Sequence, residues 1–151
     1  MEIRRYQEAD QAAVWHLHVV ALLPTGAYLG EGSWDDDLHH IEEVYLHKRG
    51  EFLVGSVDGQ VVAMGALKAI DATKAEIKRM RVLSEYQGRG YGQQILTALE
   101  ARAVEFGYKS LELDTSVLQV AAQKFYAKNS YYEVKRGKIQ NLDCIFYEKQ
   151  I

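Results

Sequence analysis

Three glycines at alternate positions, Gly88, Gly90 and Gly92, stand between an apolar, strand-like run and a long amphipathic stretch. Ala75 to Leu83 reads as a β-strand. Gly90 to Phe106 reads as a helix with Ile95, Leu99, Ala103 and Phe106 turned inward, stopped at Gly107. A strand that runs through glycines into a helix restricts the chain to an α/β arrangement, because the helix must fold back and cover the sheet. The junction is also an anion site in principle. The first N–H groups of a helix have no internal partner, and the helix dipole places partial positive charge there. Glycine removes the Cβ atoms that would hold a phosphate away from the backbone, and Arg89 adds a full charge. The spacing differs from the dinucleotide Gly-x-Gly-x-x-Gly fingerprint, since the third glycine comes one residue early. It also lacks the Gly-Lys-Ser/Thr ending of a P-loop. Phosphate binding on Gly88 to Gln93 is therefore expected, without a nucleotide-binding fold of either kind.

The rest of the chain supplies a sheet around this junction. Ile3 to Tyr6 makes a short strand, and Glu8 to Leu23 carries Ala12, Trp15, Val19 and Leu22 at helical spacing. Leu23 to Trp34, with Pro24, Gly26, Gly30 and Gly32, reads as a loop. Ser33 followed by Asp36 resembles a capping box for a second helix to about Lys48, with Leu38, Ile41 and Tyr45 on one stripe. Glu51 to Val57 and Gln60 to Ile70 form a hairpin through Asp58-Gly59. Ser110 to Thr115 alternates as a strand, Val117 to Lys128 is a helix, and Tyr131 to Arg136 and Leu142 to Glu148 are closing strands. The order βααβββαβαββ predicts a mixed α/β sheet, and 151 residues fit a single domain over 1–151.

Composition excludes several roles. A net charge of −3 gives no electrostatic reason for nucleic acid or an anionic membrane as partner. The lone Cys144 cannot form an internal disulfide and sits in an apolar run, so it reads as buried packing. Neither a signal-peptide run at Met1 to Tyr6 nor a membrane-length apolar stretch is present, so the expected location is cytoplasmic. Asp35-Asp36-Asp37 with His39, His40, Glu42 and Glu43 suggests a metal site only superficially. Contiguous residues point in different directions round a helix, so this run reads as a solvated face and no metal is expected. His16, His18 and His47 carry no supporting pattern.

Gln87-Gly88-Arg89-Gly90-Tyr91-Gly92 resembles the Gln/Arg-x-x-Gly-x-Gly/Ala acyl-CoA motif of the GNAT N-acetyltransferases. The order of elements around it, and the run Gln123 to Tyr132, are also similar to that family. Three positions depart from its pattern. Gln119 stands where Asn is frequent, Ser130 replaces the usual glycine, and Ser84 replaces a frequent proline. None of these removes a group the reaction requires.

The resemblance implies an α/β fold with a mixed, mostly antiparallel central sheet and flanking helices. It implies acetyl-CoA as co-substrate and an amine acceptor, and it makes a homodimer, common in the family, an arrangement to expect. The pantetheine arm would pair with the backbone of Met80, Arg81 and Val82 like an added strand. Its pyrophosphate would rest on Gly88, Arg89, Gly90, Tyr91, Gly92 and Gln93, behind Gln87, with Gln119 near the arm. An N–H near Val82 would hold the oxyanion. Tyr126 is the implied acid for the leaving thiolate, since a phenol is protonated at neutral pH. Glu76 is the candidate base, acting through water, with solvated strand-end residue as its competing reading and Asp114 as second choice. The acceptor would lie against Leu23–Trp34, the second helix and the end at Gly137–Leu142, with Tyr28 and Trp34 as lid aromatics. The acidic run favours a cationic acceptor such as a polyamine, aminoglycoside or lysine amine. The alternative function is a non-catalytic acyl-CoA-binding sensor on the same scaffold.

Overall fold

The computed structural model describes residues 1–151. Its strands are β1 (Glu2–Arg5), β2 (Glu51–Val57), β3 (Gln60–Ala69), β4 (Lys74–Val82), β5 (Ser110–Ser116), β6 (Tyr132–Ile139) and β7 (Leu142–Gln150). Its α-helices are α1 (Gln11–Leu22), α2 (Tyr91–Phe106) and α3 (Val120–Lys128). The strands form one sheet in the order β1-β2-β3-β4-β5-β7-β6. Only β4 and β5 run parallel; every other neighbouring pair is antiparallel. This is the mixed, mostly antiparallel α/β sheet expected. Asp58 and Gly59, both at positive φ, close the β2–β3 hairpin, and Gln140 and Asn141 do the same between β6 and β7.

Two local irregularities in β4 shape everything that follows. The first is a bulge. Ala66 pairs with Lys78 and Met64 with Arg81, so Arg79 and Met80 together oppose Gly65. Arg79 takes the left-handed conformation, φ 58°, to make it. A Cβ on Gly65 would lie 2.5 Å from Met80 Sδ and 2.6 Å from Ile95 Cγ2, so only glycine lets Met80 and α2 close over this point. The second irregularity is a splay. Parallel pairing with β5 stops at Glu76–Glu112, and beyond it the two strands part.

α2 packs on β2, β3 and β4 from one face, and α1 packs on β3 and β4 from the other. The inward face of α1 is Val14, Leu17, His18 and Leu22; of the stripe expected from spacing only Leu22 is buried, Trp15 and Val19 are half-buried and Ala12 is exposed. That helix is apolar on most sides, so periodicity could not select its core face. On α2, Ile95, Leu99 and Ala103 are buried as expected, joined by Leu96, while Phe106 is half-buried.

The expected second helix does not form as one element. Ser33–His39 is a 3₁₀ turn and Glu42–Leu46 a single π-turn, separated where His40 leaves helical geometry at φ −140°. The cap is Gly32, without a side-chain bond, so Ser33 and Asp36 make no capping box. The reason lies in β4. Arg79 donates to the carbonyl of Trp34 and to the carboxylates of Asp35 and Asp37. Asp35 and Leu38, three residues apart, both fall on the buried side of the turn. The acidic run is therefore a solvated face only in part: Asp36, His39, His40, Glu42 and Glu43 are exposed, but Asp35 is buried and Asp37 is held by Arg79 and Tyr45. α3 also starts at Val120 rather than Val117, after a turn in which Leu118 N–H donates to Ser116 Oγ.

Candidate active site

Two clefts meet where β4 and β5 part. One runs along the end of β4 to the start of α2. It is lined by Met80, Arg81, Val82, Gln87, Gly88, Gly90, Tyr91, Gly92, Gln93 and Gln119, with α3 residues Ala122, Phe125 and Tyr126 opposite. The other, about 240 Å³, opens on the α1 side and contains Glu76, Lys78, Asp114, His18, Tyr28 and Trp34. Met80, Arg81, Gln119, Ala122 and Tyr126 belong to both. The splay thus joins the clefts across the sheet.

The first cleft has the chemistry of a phosphate cradle. The first intrahelical bond of α2 is Gln94 N–H to Gly90 C=O, so the amides of Tyr91 to Gln93 precede it. No side chain caps this end. Gly88 and Gly90 have φ of 76° and 81°, so the turn itself requires them. Gly92 is different. It is inside the helix, and a Cβ there would meet only Val82 Cγ2, at 3.6 Å, and Phe125 Cζ, at 4.0 Å. The fold does not demand glycine at 92, whereas close approach of a ligand to the backbone would. Gln87 donates through Nε2 to the Val82 carbonyl, tying the loop to the end of β4. Gln93 exchanges bonds of 2.8 and 3.0 Å with Asn129, which fixes α3 beside α2. Arg89 is the one expected cofactor residue outside the lining. Its guanidinium donates to the Glu85 carbonyl and lies 5.0 Å from the Tyr86 ring centre.

Tyr126 stands where the clefts join, buried against Phe125, Tyr131 and Tyr147. Burial pushes its phenol above the ordinary value, Arg81 counteracts this, and Asp114 adds to it. It is therefore a neutral donor at physiological pH. Gln119, the residue before α3, accepts through Oε1 from Thr115.

In the second cleft Glu76 and Asp114 face the same space from adjacent strands. Burial raises both carboxyls above the usual range, with Lys78 pulling each back down. A carboxylate held near its neutral form accepts a proton more readily, as a base at neutral pH requires. Cys144 is buried and also borders this cleft.

Sequence reasoning missed His18, Arg79, the burial of Asp35 between them and the cleft-facing role of Arg81. His18 Nε2 lies 3.2 Å from Asp35 Oδ1 but without hydrogen-bond geometry. Burial first, then Arg81, lowers the imidazole to about 4, so His18 is neutral. No spacing rule marks a histidine whose partners come from other segments.

The profile described as the Acetyltransferase (GNAT) family matches residues 10–131. The chain belongs to the GNAT acetyltransferase family. It is 36% identical over 106 residues to the N-acetylaspartate synthetase of Rattus norvegicus, covering 66% of this chain and 34% of the rat protein. It is 29% identical over 122 residues to N-acetyltransferase 8 of Homo sapiens, covering 71% of this chain and 53% of that protein. The chain spans 33% to 37% of the length of the N-acetylaspartate synthetases it matches. Among solved structures, a GNAT-family acetyltransferase of Staphylococcus aureus superposes with a TM-score of 0.91 at 22% identity, covering 99% of this chain and 98% of that one. The PaiA N-acetyltransferase of Thermoplasma acidophilum, solved in complex with coenzyme A, does so at 0.80 and 21% identity, over 99% and 98%. These two share the GNAT fold with this chain.

Proposed function

We propose that this GNAT protein transfers the acetyl group of acetyl-CoA to a primary amine by direct attack. The observation that carries the reading is the junction of a phosphate-cradling cleft and a carboxylate-lined cleft at Tyr126. The exposed amides at the start of α2 take the pyrophosphate. The β5-facing edge of β4 beyond Glu76, which has no strand partner, takes the amides of the pantetheine arm.

The acceptor enters from the other side. Glu76 removes a proton from the ammonium through water, with Asp114 as the second candidate. The amine nitrogen then bonds to the thioester carbon while a backbone N–H near Val82 holds the oxygen. As the C–S bond breaks, the attacking nitrogen releases its second proton to water, the Tyr126 hydroxyl gives its proton to sulfur, and the phenolate regains one from solvent.

The acidic run gives less support to a cationic acceptor than its composition suggests. Asp35 and Asp37 are both paired with Arg79. Aspartate, the acceptor implied by the name of the synthetases, belongs in the assay.

The test is thiol release from acetyl-CoA over an amine panel, preceded by a melting experiment. Acetyl-CoA at a hundredfold excess over Kd should stabilise the fold by about 2.7 kcal/mol. Stabilisation without turnover on any amine would leave an acyl-CoA-binding protein. No shift with acetyl-CoA or CoA would sink the cofactor reading itself.

A further inference from the structure

The β4 bulge has a second effect, on Arg81. Residues paired across antiparallel strands point to the same face, and β3 residues two apart share a face. Lys68 pairs with Glu76, Ala66 with Lys78, and Met64 with Arg81. Glu76, Lys78 and Arg81 therefore share one face, and Asp114 joins them because Glu112 pairs with Glu76. Without the extra residue at Arg79–Met80, Arg81 would fall on the opposite face, against α2.

Placed this way, Arg81 is a cation without a partner. Nη1 donates to the carbonyl of Met80, 2.8 Å away. Nε is shut off from solvent and bonded to nothing. The neighbouring Arg79 is, by contrast, paired twice, with Asp35 at 3.1 Å and Asp37 at 2.5 Å. Asp35 and Asp114 act on Arg81 only through longer-range attraction. Burial, then repulsion from Arg79, lowers its pKa to about 10, so it stays charged at neutral pH. An unpaired buried guanidinium N–H is costly in a finished protein unless a ligand completes it.

We infer that Arg81 binds a carboxylate on the acceptor, so that the preferred acceptor is a small amino acid rather than a polyamine or a lysine side chain. This rests on the transferase reading above. The two ends of such a molecule match the shared face. The carboxylate meets Arg81, with Lys78 beside it, and the ammonium meets Glu76 and Asp114. The guanidinium fork suits a carboxylate in a way that an ammonium cannot match. Because Arg81 belongs to both clefts, the acceptor it holds lies next to Tyr126 and the transfer point.

The experiment compares L-amino acids with their carboxamides and with spermidine, in wild type and Arg81→Gln. Wild type should prefer the acid over its carboxamide by about 10- to 100-fold in kcat/KM, the range for a hydrogen bond to a charged group. Arg81→Gln should erase that preference by raising KM for the acid alone, and Arg81→Lys should restore part of it. Since Arg81 has no internal ion-pair partner, Arg81→Gln should melt no lower than wild type. Binding supplies a readout independent of turnover. Succinate, a carboxylate with no amine, should bind the CoA-loaded wild type in calorimetry and not Arg81→Gln. Equal use of acids, carboxamides and spermidine by wild type would overturn the inference. So would an equal loss of kcat for all acceptors in Arg81→Gln, which would place Arg81 at the thioester. Inactivity with every amine, alongside succinate binding that depends on Arg81, would support the anion site and count against the transferase reading. Absence of succinate binding would overturn the site.

Discussion

Arg79 reaches from the bulge of β4 to clamp Asp37, with Nε 3.0 Å from Oδ2 and Nη2 2.5 Å from Oδ1. This two-point contact joins a strand to a turn 42 residues away and sets the wall of the second cleft. It also sets an electrostatic balance. Burial pushes the Asp37 carboxyl up, but the Arg79 guanidinium and the Tyr45 hydroxyl more than offset this and hold it below its ordinary value of 3.8.

Breaking this pair should be expensive. Asp37→Ala leaves Arg79 with Asp35 as its one ion-pair partner and removes the acceptor of the Tyr45 hydroxyl. The expected loss is about 3 kcal/mol in denaturant unfolding, the lower end for a buried pair with one partner removed. The sign with pH follows from the depressed carboxyl. Its contribution is present above the ordinary value of 3.8 and is lost as pH falls through the lower folded value. The gap between wild type and Asp37→Asn should therefore narrow in strong acid. A gap that is constant with pH would show that the charge is not what Arg79 reads.

Gly92→Asp separates the phosphate cradle from the fold. The added Cβ fits at 3.6 Å from its nearest neighbour, and an acid in the first turn favours the helix. Stability should be unchanged or higher by about 0.3–1 kcal/mol. Acetyl-CoA affinity should fall at least about 100-fold, since a fixed negative charge then sits on the amides offered to the pyrophosphate. A folded variant that binds acetyl-CoA normally in calorimetry would remove the phosphate from this loop.

Tyr126→Phe should lower kcat with little change in acetyl-CoA affinity, because the proton is donated only as the C–S bond breaks. General acid catalysis is typically worth about 10²–10⁴-fold, and a thiolate is a fair leaving group, so the low end is expected. Burial keeps the phenol protonated beyond its ordinary value of 10.0, so wild type should show no loss of kcat from this group up to that pH. An unchanged kcat, with chemistry rate-limiting, would return Tyr126 to core packing.

Glu76→Gln and Asp114→Asn should show opposite effects on stability and rate. Both carboxyls are raised by burial, so their ionisation in the folded state is unfavourable. Stability is full below the unfolded carboxyl values and is lost as pH rises through the raised folded ones. Each amide variant should thus be more stable than wild type at neutral pH and equal to it in acid. The variant that also loses the acidic limb of the pH–rate profile identifies the base. Loss of neither limb would assign the proton to water or to the acceptor itself.

The sheet, the hairpin at Asp58-Gly59 and the glycine turn into α2 were all legible in the sequence, because each depends on local signals. Alternation marks β5, and positive-φ residues mark the turns. Unpartnered amides are the automatic consequence of a helix starting after Gly90. The residues expected at the cofactor cleft, apart from Arg89, all line it, since they sit on one continuous strand–turn–helix segment or face it from the next.

The second cleft was legible only in part. Glu76, Asp114, Tyr28 and Trp34 were singled out, but their company was not. His18, Asp35 and Arg79 come from three separate segments, and the bulge opposite Gly65 is what sends Arg79 to Asp35. A bulge is a count of residues in one strand against its partner, which pattern in a single strand does not contain. It moved Arg81 to the cleft face, sent Arg79 to the acidic run, and so turned an expected solvated helix into a 3₁₀ turn bound at Asp35 and Asp37. The sequence by itself determined where unpartnered helix amides and a phenol are offered. Only the pairing of β3 with β4 decided which charges face the second cleft, because strand register assigns each side chain to a face and a single extra residue reverses the assignment.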